Sequence, residues 1–477
     1  MKNNGNGIVK NLSYSVLANG TNTLISMILV LIVPKILGVT EYAYWQLYLF
    51  YASYVGFFHF GWADGVYLRF GGRDYDTLDK SYFHKQFWLL TFVEIFLAVM
   101  IGIFAIITVP DAQRRVVLIA VGICCILQLP RTFLQYVLQA TNRIVNYARN
   151  YFLEKIVYAV LVILCLCIGI KQFEVLIAAD LVARGVTLLL LTRECRDIVS
   201  GKLKGLFEGV REAWNNISVG IKLMFANIAS QLLLGIVRWA IQNHWSVETF
   251  GRVSLSITAS NLLMTFISAV SIVIYPMLKN ISLKQYGEVY AKMRNMLMIP
   301  VLGLLVVYYP AKVILSWWLP QYAESLRYMA LLFPMCVFES KMTMLINTYL
   351  KALRREKSIL GINCVAVIIT FVTTAVSVYM LDNLTIAIVS LPILMGLRCC
   401  IGELVLIQEI HVSIWKDISA EWLMVLIFII VSWFIQSWMS MAIYLVAYLV
   451  YLFWKRNAVC DLAGQVRELV LKRRIGK

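Results

Sequence analysis

Charged residues are scarce in this sequence of 477 residues. Asp, Glu, Lys and Arg make up 14% of the chain and hydrophobic residues 61%, against about 25% and roughly 45–50% in soluble domains. A water-soluble fold cannot bury so much apolar surface, because too few polar residues remain to cover it. We therefore predict an all-α polytopic membrane protein, with lipid as the solvent for most of the chain.

Residues that typically carry catalysis or bind cofactors are few and scattered. The four histidines form no metal-binding cluster, and the ten cysteines show neither a disulfide framework nor a metal-ligand spacing. Gly201-Lys202 lacks the upstream glycine of a phosphate-binding loop. The longest predicted inner loop, 193–216, has no room for a catalytic domain. The sequence thus predicts a protein that is not an enzyme and has no catalytic residues, metal ligands or cofactor.

Long apolar runs recur from one end of the chain to the other. Each is about 20 residues long, which is the length a helix needs to cross a hydrocarbon layer of about 30 Å. The fourteen predicted spans are 12–33, 43–63, 87–109, 116–139, 151–170, 174–192, 217–240, 253–275, 296–315, 326–350, 359–380, 384–407, 420–436 and 439–454.

Basic residues collect on one side of these spans. Of the 43 lysines and arginines, 30 lie in the tails and in the loops on the same side as the N-terminus, 7 lie in the opposite loops, and 6 lie inside spans. Cytoplasmic segments carry such an excess in membrane proteins. We predict that both termini are cytoplasmic, and that the net charge of +17 reports topology rather than affinity for nucleic acid.

An internal repeat relates spans 1–6 to spans 7–12. Similar residues recur at offsets of 208 and 212: Asn19 and Asn227, Leu24 and Leu232, Leu138 and Leu350, Ala140 and Ala352, Arg143 and Arg355. Because six is even, both copies have the same orientation, as in transporters with parallel repeats. We predict an N-lobe (1–200) and a C-lobe (201–415) around a central cavity, with two extra helices and a basic tail in 416–477.

Charged residues inside the spans are the main candidates for a functional site, because a charge in the membrane is costly. The tentative substrate-binding residues are Arg131, Arg184, Arg238, Lys341, Arg398, Asn19 and Asn227. The tentative ion-coupling residues are Glu94, Asp180 and Glu339. The spans contain six basic residues and a smaller number of acidic ones, which favours an anionic substrate.

Each candidate also has a structural interpretation. Asp180 and Arg184 lie four residues apart, so they can pair on one helix face, and Glu403 lies near Arg398 on the same predicted helix. Arg238 lies near a span end, where its long side chain can reach the interface. Asn19 and Asn227 belong to polar faces of spans 1 and 7, which line a wet cavity or form hydrogen bonds between helices.

The first outer turn and the segment after it carry a resemblance to a known family. The turn has proline, a basic residue, an apolar residue, leucine, glycine, an acid and an aromatic, which are Pro34, Lys35, Ile36, Leu37, Gly38, Glu41 and Tyr42. A glycine-led stretch that ends in arginine follows at 61–69, and QATNR (139–143) and KALRREK (351–357) follow spans 4 and 10.

These segments resemble the polysaccharide (O-antigen and capsule type) flippases of the multidrug/oligosaccharidyl-lipid/polysaccharide exporter superfamily. Ala43 departs from the glycine that this family often has there. The resemblance implies transfer of an undecaprenyl-diphosphate-linked oligosaccharide from the cytoplasmic to the outer leaflet of a bacterial cytoplasmic membrane, by alternating access. It implies a coupling ion, Na⁺ or H⁺, and polysaccharide polymerase machinery as a partner; we expect no nucleic acid partner.

Three other functions stay open at this point. A lipid II flippase of the same superfamily has a similar sequence pattern. A drug or cation exporter of the same fold is expected to have an acidic cavity, whereas the charges inside these spans are mostly basic. A membrane glycan polymerase or ligase needs a large outer loop with catalytic side chains. The predicted spans are too closely spaced to leave room for such a loop.

The charge pattern predicts the topology of the chain. A reporter fused after residue 477 should be active in the cytoplasm, and one inserted in the 382–383 turn should be active outside. A C-terminus found outside would contradict the fourteen-span topology.

Overall fold

A computed structural model of the chain describes residues 25, 27–201, 205–271, 286–410 and 412–461, and in these ranges every regular element is a helix. We name the helices α1 Met27–Ile36, α2 Val39–Val55, α3 Trp62–Phe70, α4 Lys80–Thr108, α5 Ala112–Ala140, α6 Ile144–Cys167, α7 Phe173–Glu194, α8 Arg196–Val199, α9 Leu206–His244, α10 Val247–Ser271, α11 Tyr286–Trp318, α12 Ser325–Ala352, α13 Glu356–Met380, α14 Leu384–Ile410, α15 Trp415–Phe434 and α16 Trp438–Trp454.

The helices confirm an all-α polytopic membrane protein. Ten of those in the described ranges are long and apolar enough to cross a membrane, and α1 and α16 are shorter apolar helices. Each of the fourteen predicted spans overlaps a helix; the first does so only at α1, because its residues 12–24 lie outside the described part of the chain. The short helices α3 and α8 lie between predicted spans.

Several helices begin before their apolar runs, because a polar side chain caps the first turn of each helix. Asp79 accepts hydrogen bonds from the backbone N–H groups of Ser81 and Tyr82 at 3.0 and 3.2 Å, so α4 begins at Lys80. Asp111 caps α5 in the same way through Gln113. Such caps satisfy N–H groups that have no partner within the helix.

The chain forms two compact units. The first comprises Met1–Ile228 and Val247–Gly251, and the second comprises Ala229–Ser246 and Arg252–Lys477. Helices α15 and α16 are part of the second unit. The hydroxyls of Tyr444 and Tyr448 on α16 donate to the carbonyls of Leu302 and Ile299 on α11, both at 2.8 Å.

One turn has the same structure in both units. After α5 and after α12 the chain passes through a residue with positive φ, Asn142 (59°) and Arg354 (54°), which lie 212 positions apart. The next residue, Arg143 or Arg355, then donates its N–H to the carbonyl of Leu138 or Leu350, at 2.8 and 2.7 Å. The repeat expected at this offset is therefore present in the backbone here.

Arg143 of the QATNR segment helps to close one end of the first unit. Its guanidinium lies 3.7 Å from the ring centroid of Tyr75 and 3.1 Å from the carboxylate of Asp76. The hydroxyl of Tyr75 donates to Asp197 at 2.8 Å, and Lys80 pairs with the same carboxylate. Burial would raise the pKa of Asp197, but these two partners hold it below its usual value.

The glycine-led stretch joins α3 to α9 within the first unit. Gly61 has φ +81° and lies against the backbone of Gly220 and Ile221, and a Cβ on Gly65 would come within 1.9 Å of the carbonyl oxygen of Asn216. Arg69, at the end of the stretch, donates to the side chain of Asn216 at 2.6 Å. Only glycine allows backbones to approach so closely.

We predict that Gly65→Ala destabilises the protein by about 1–3 kcal/mol, because the added methyl group forces α3 away from α9. Gly102→Ala is the matched control, since Gly102 lies in the interior of α4 with no atom within 4 Å of an added Cβ. Thermal unfolding of the purified proteins in detergent measures the difference. Equal midpoints for the two variants would contradict the close approach.

Candidate functional site

Arg131 is buried in the first unit and has an acidic partner there. It extends from α5 to form an ion pair with Glu154 of α6, and both side chains are at most 6% exposed. The hydroxyl of Thr187 on α7 lies 3.5 Å from the same guanidinium nitrogen. Arg131 therefore links three helices inside one unit.

Arg184 also has its partners within the first unit. Its Nε lies 2.7 Å from the carboxylate of Asp180, so the expected pair four residues apart is present. The hydroxyl of Tyr48 on α2 donates to the same carboxylate at 2.6 Å, and Gln128 of α5 accepts from Arg184. This cluster joins α2, α5 and α7.

Glu94 differs from the other buried acids. Glu94 lies on α4 and is 0% exposed, and neither of its carboxylate oxygens has a hydrogen-bond partner among the described residues. An ionised carboxylate in such surroundings is very costly, so the group is expected to be neutral. Among the tentative ion-coupling residues, Glu94 is thus the one whose surroundings favour a bound proton.

The second unit contains a buried charge network. Arg294 of α11 contacts Glu403 of α14 and Glu421 of α15, both at 2.9 Å. Lys341 of α12 lies 2.5 Å from Glu403 and 2.7 Å from Glu421. The four side chains are at most 2% exposed, and each cation contacts both acids.

At one edge, a second pair extends this network toward solvent. Asp417 lies 3.3 Å from Arg294 and 2.6 Å from Lys455, which also donates to Asn295. The network then has three cations and three anions, so it is neutral as a whole. Such a cluster is stable only while it is complete, because removing one partner leaves a buried charge uncompensated.

Arg398 is the candidate with the most varied partners. From α14 it donates to Asn363 at 2.8 Å, to Ser230 at 2.9 Å and to Glu339 at 3.3 Å, which lie on three other helices of the second unit. Glu339 is the most exposed of the acids that pair with these candidate cations, at 28%. The arginine fork is itself buried and lies next to a partly exposed carboxylate.

The expected pair of Arg398 with Glu403 is wrong. Five residues on a helix place two side chains about 140° apart around its axis, so they face different neighbours. Glu403 faces Arg294 and Lys341, whereas Arg398 faces α9, α12 and α13.

The remaining candidates lie near or outside these clusters. Arg238 donates to Ser254 at 3.0 Å within the second unit. Asn227 is exposed on α9, and Asn19 lies outside the described residues. A polar cavity wall formed by Asn19 and Asn227 stays a prediction.

The expected excess of basic residues is not found among the buried residues that the structure describes. Six acidic side chains and four basic ones are buried there: Asp64, Glu94, Glu154, Asp180, Glu403 and Glu421, and Arg131, Arg294, Lys341 and Arg398. Sequence reasoning missed Glu154, Arg294 and Glu421, because they lie near predicted span ends. The helices extend further, so these residues are interior.

The fold matches those of known transporters. A structure described as "Lipid II flippase MurJ, inward closed conformation" superposes with a TM-score of 0.64 at 11% identity, over 94% of this chain and 100% of that one. An inward-facing multidrug resistance MATE family transporter of the MOP superfamily superposes with a TM-score of 0.54 at 12% identity, over 85% of this chain and 95% of that one. A MATE structure in the straight conformation superposes with a TM-score of 0.50 at 14% identity, over 85% of this chain and 96% of that one.

No family model matches the chain. No curated protein sequence matches it either. The chain is therefore a polytopic helical membrane protein with the fold of MurJ and MATE transporters. This likeness shows the fold, while membership of the superfamily that the sequence resembles, and of its polysaccharide branch, stays a prediction.

We predict that Lys341→Met destabilises the protein by about 3–5 kcal/mol, because Glu403 and Glu421 lose a shared cation in a buried site. Lys292→Met is the control: Lys292 pairs with Glu288 on the exposed surface of α11, where water screens the pair and its loss should leave stability nearly unchanged. Membrane abundance and thermal unfolding in detergent measure both. A stable Lys341→Met protein would show that this lysine is not part of the packing.

Proposed function

We propose that this chain is a flippase that moves an undecaprenyl-diphosphate-linked oligosaccharide from the cytoplasmic to the outer leaflet by alternating access. Its place is the bacterial cytoplasmic membrane, with both termini in the cytoplasm and polysaccharide polymerase machinery as a partner. The MurJ-like fold and the family-like segments at 34–72, 139–143 and 351–357 support this proposal.

The observation that carries the proposal is the arrangement around Arg398. A diphosphate has about two negative charges and does not cross hydrocarbon unaided, whereas a planar guanidinium binds phosphate oxygens with two parallel hydrogen bonds. Ser230 and Asn363 hold the Arg398 side chain, and its carboxylate partner Glu339 is partly exposed. A phosphate can replace that carboxylate without leaving a bare charge in the interior.

Arg131 and Lys341 fit a structural role better. Each is paired with acids that are at most 4% exposed, so an incoming phosphate would leave those acids buried without a partner. Arg184 is intermediate, since Asp180 is buried beside it while Gln128 is a neutral partner. We therefore rank Arg398 first among the substrate-binding candidates.

We propose a proton as the coupling ion. Neither carboxylate oxygen of Glu94 has a hydrogen-bond partner, and no group of three or more potential metal ligands is found among the described residues. The burial of Glu94 favours the protonated acid. Release of the proton then requires a conformation in which Glu94 reaches water or a basic group. Alternating access supplies such a change of surroundings.

Lipid II is the second candidate substrate. The structure described as a lipid II flippase covers its whole length in the superposition with this chain. Lipid II also has a polyprenyl-diphosphate, so the Arg398 site fits it equally well. Only the sugar part distinguishes the two substrates, and the described residues identify no sugar contact.

We predict that Arg398→Gln abolishes export of the lipid-linked oligosaccharide while membrane abundance stays normal. Arg398→Lys should also impair export, because lysine keeps the charge and loses the planar fork. Arg355→Gln is the matched control, since Arg355 forms an exposed pair with Glu409. Leaflet transfer of a labelled lipid-linked oligosaccharide in proteoliposomes, together with immunoblots of membranes, measures both properties.

Normal transfer by Arg398→Gln would end the proposal for this residue, and loss of abundance would assign it to packing. Lipid II should be run in parallel with an undecaprenyl-diphosphate oligosaccharide of another repeat unit. Transfer of lipid II alone would favour the second candidate.

A further inference from the structure

A mainly apolar cavity with several polar side chains in its lining lies within the second unit, away from Arg398. It has a volume of about 280 Å³ and lies between the C-terminal half of α11 and the turn that joins α15 to α16. The charge pattern places this turn on the outer side of the membrane. The lining residues used below are Tyr308, Lys312, Val313, Ser316, Gln436 and Trp438.

Two side chains of the cavity have polar groups without a partner. Tyr308 is 1% exposed and its ring packs against Phe333 and Phe428, yet its hydroxyl has no hydrogen-bond partner among the described residues. Lys312 is half-buried, and its ammonium lies 6.0 Å from the Tyr308 ring centroid. Within the described chain Lys312 has no acidic partner.

The charge of the cavity is therefore positive. None of the described residues that line it is acidic, and the next cation, Arg327, stacks over Trp433 at 4.2 Å on α15. A buried donor that lacks an acceptor is costly, so the native state is expected to supply one. An anion in the cavity that accepts hydrogen bonds from Lys312 and Ser316 satisfies this requirement for the half-buried ammonium, whereas the Tyr308 hydroxyl is enclosed and out of its reach.

The surroundings of the cavity fit an amphiphile better than a soluble anion. Val313, Ile314 and Trp317 are 50%, 59% and 77% exposed on α11, and Phe434 and Trp438 are 74% and 60% exposed across the cavity. Tryptophans at the ends of apolar helices lie at the depth of lipid headgroups. An acyl chain can therefore follow this apolar surface while its headgroup occupies the cavity.

We propose that this cavity binds the phosphate ester of a lipid headgroup from the outer leaflet. Lys312 supplies the charge, and Ser316 and Gln436 supply further polar contacts at the rim. The site is separate from Arg398 and does not rest on the proposed transport activity. A lipid bound there contacts both α11 and α16 and so stabilises the outer end of the second unit.

The test is lipid retention by the full-length protein, measured by native mass spectrometry in detergent. The probes are phosphatidylglycerol, phosphatidylcholine and inorganic phosphate, added separately. We expect selective retention of phosphatidylglycerol, reduced roughly 10-fold by Lys312→Gln because one charge-assisted hydrogen bond is lost. Ser316→Ala should reduce it less, and since it removes only one oxygen from the lining it serves as the second variant if Lys312→Gln fails to fold.

Lys416→Gln is the matched control. Lys416 is an exposed lysine in the first turn of α15, at the opposite end of that helix from the cavity. If the retention came only from general attraction of anionic lipid to a basic surface, both lysine variants would reduce it equally. An equal reduction would therefore overturn the proposal. Retention that neither Lys312→Gln nor Ser316→Ala changes would also overturn it, as would binding of inorganic phosphate that displaces no lipid.

Discussion

Neutralisation of charge inside apolar helices is the constraint on which this structure depends. Lys341 and Arg294 are buried in the second unit, and each reaches two acids from different helices. Because Glu421 comes from α15, the two C-terminal helices complete a charge network rather than merely adding apolar surface. The tyrosines of α16 that bind carbonyls of α11 strengthen the same connection.

The two units meet this constraint differently, although they share the turn after α5 and α12. In the first unit Arg131 pairs with a single acid, Glu154, and is assisted by a hydroxyl. In the second unit Lys341, 210 positions further on, shares its acids with Arg294. A repeat preserves helices and turns, such as those at Asn142 and Arg354, more readily than the identity of buried partners, because any complete set of partners satisfies the energetics.

The sequence was sufficient to predict the helices, since the length and apolarity of a run are local properties. It was also sufficient for the pair of Asp180 and Arg184, which depends only on helical spacing. It failed for Arg398, whose partners Ser230, Glu339 and Asn363 lie far away in the chain. Pairs between helices depend on packing, which periodicity does not encode, and so Glu154, Arg294 and Glu421 near the span ends were not among the candidates.

Buried ion pairs also limit which cation can bind a substrate. A cation that leaves its partner for a phosphate exposes the partner's charge to its surroundings, and in the interior this costs several kcal/mol. Glu403 and Glu421 have no access to water, so their cations are held in place. Glu339 is partly exposed, so less of its charge is left in the interior when Arg398 turns away. Exchange of partners is therefore least costly at Arg398, because the burial of the acid, and not only that of the cation, sets the cost of separating a pair.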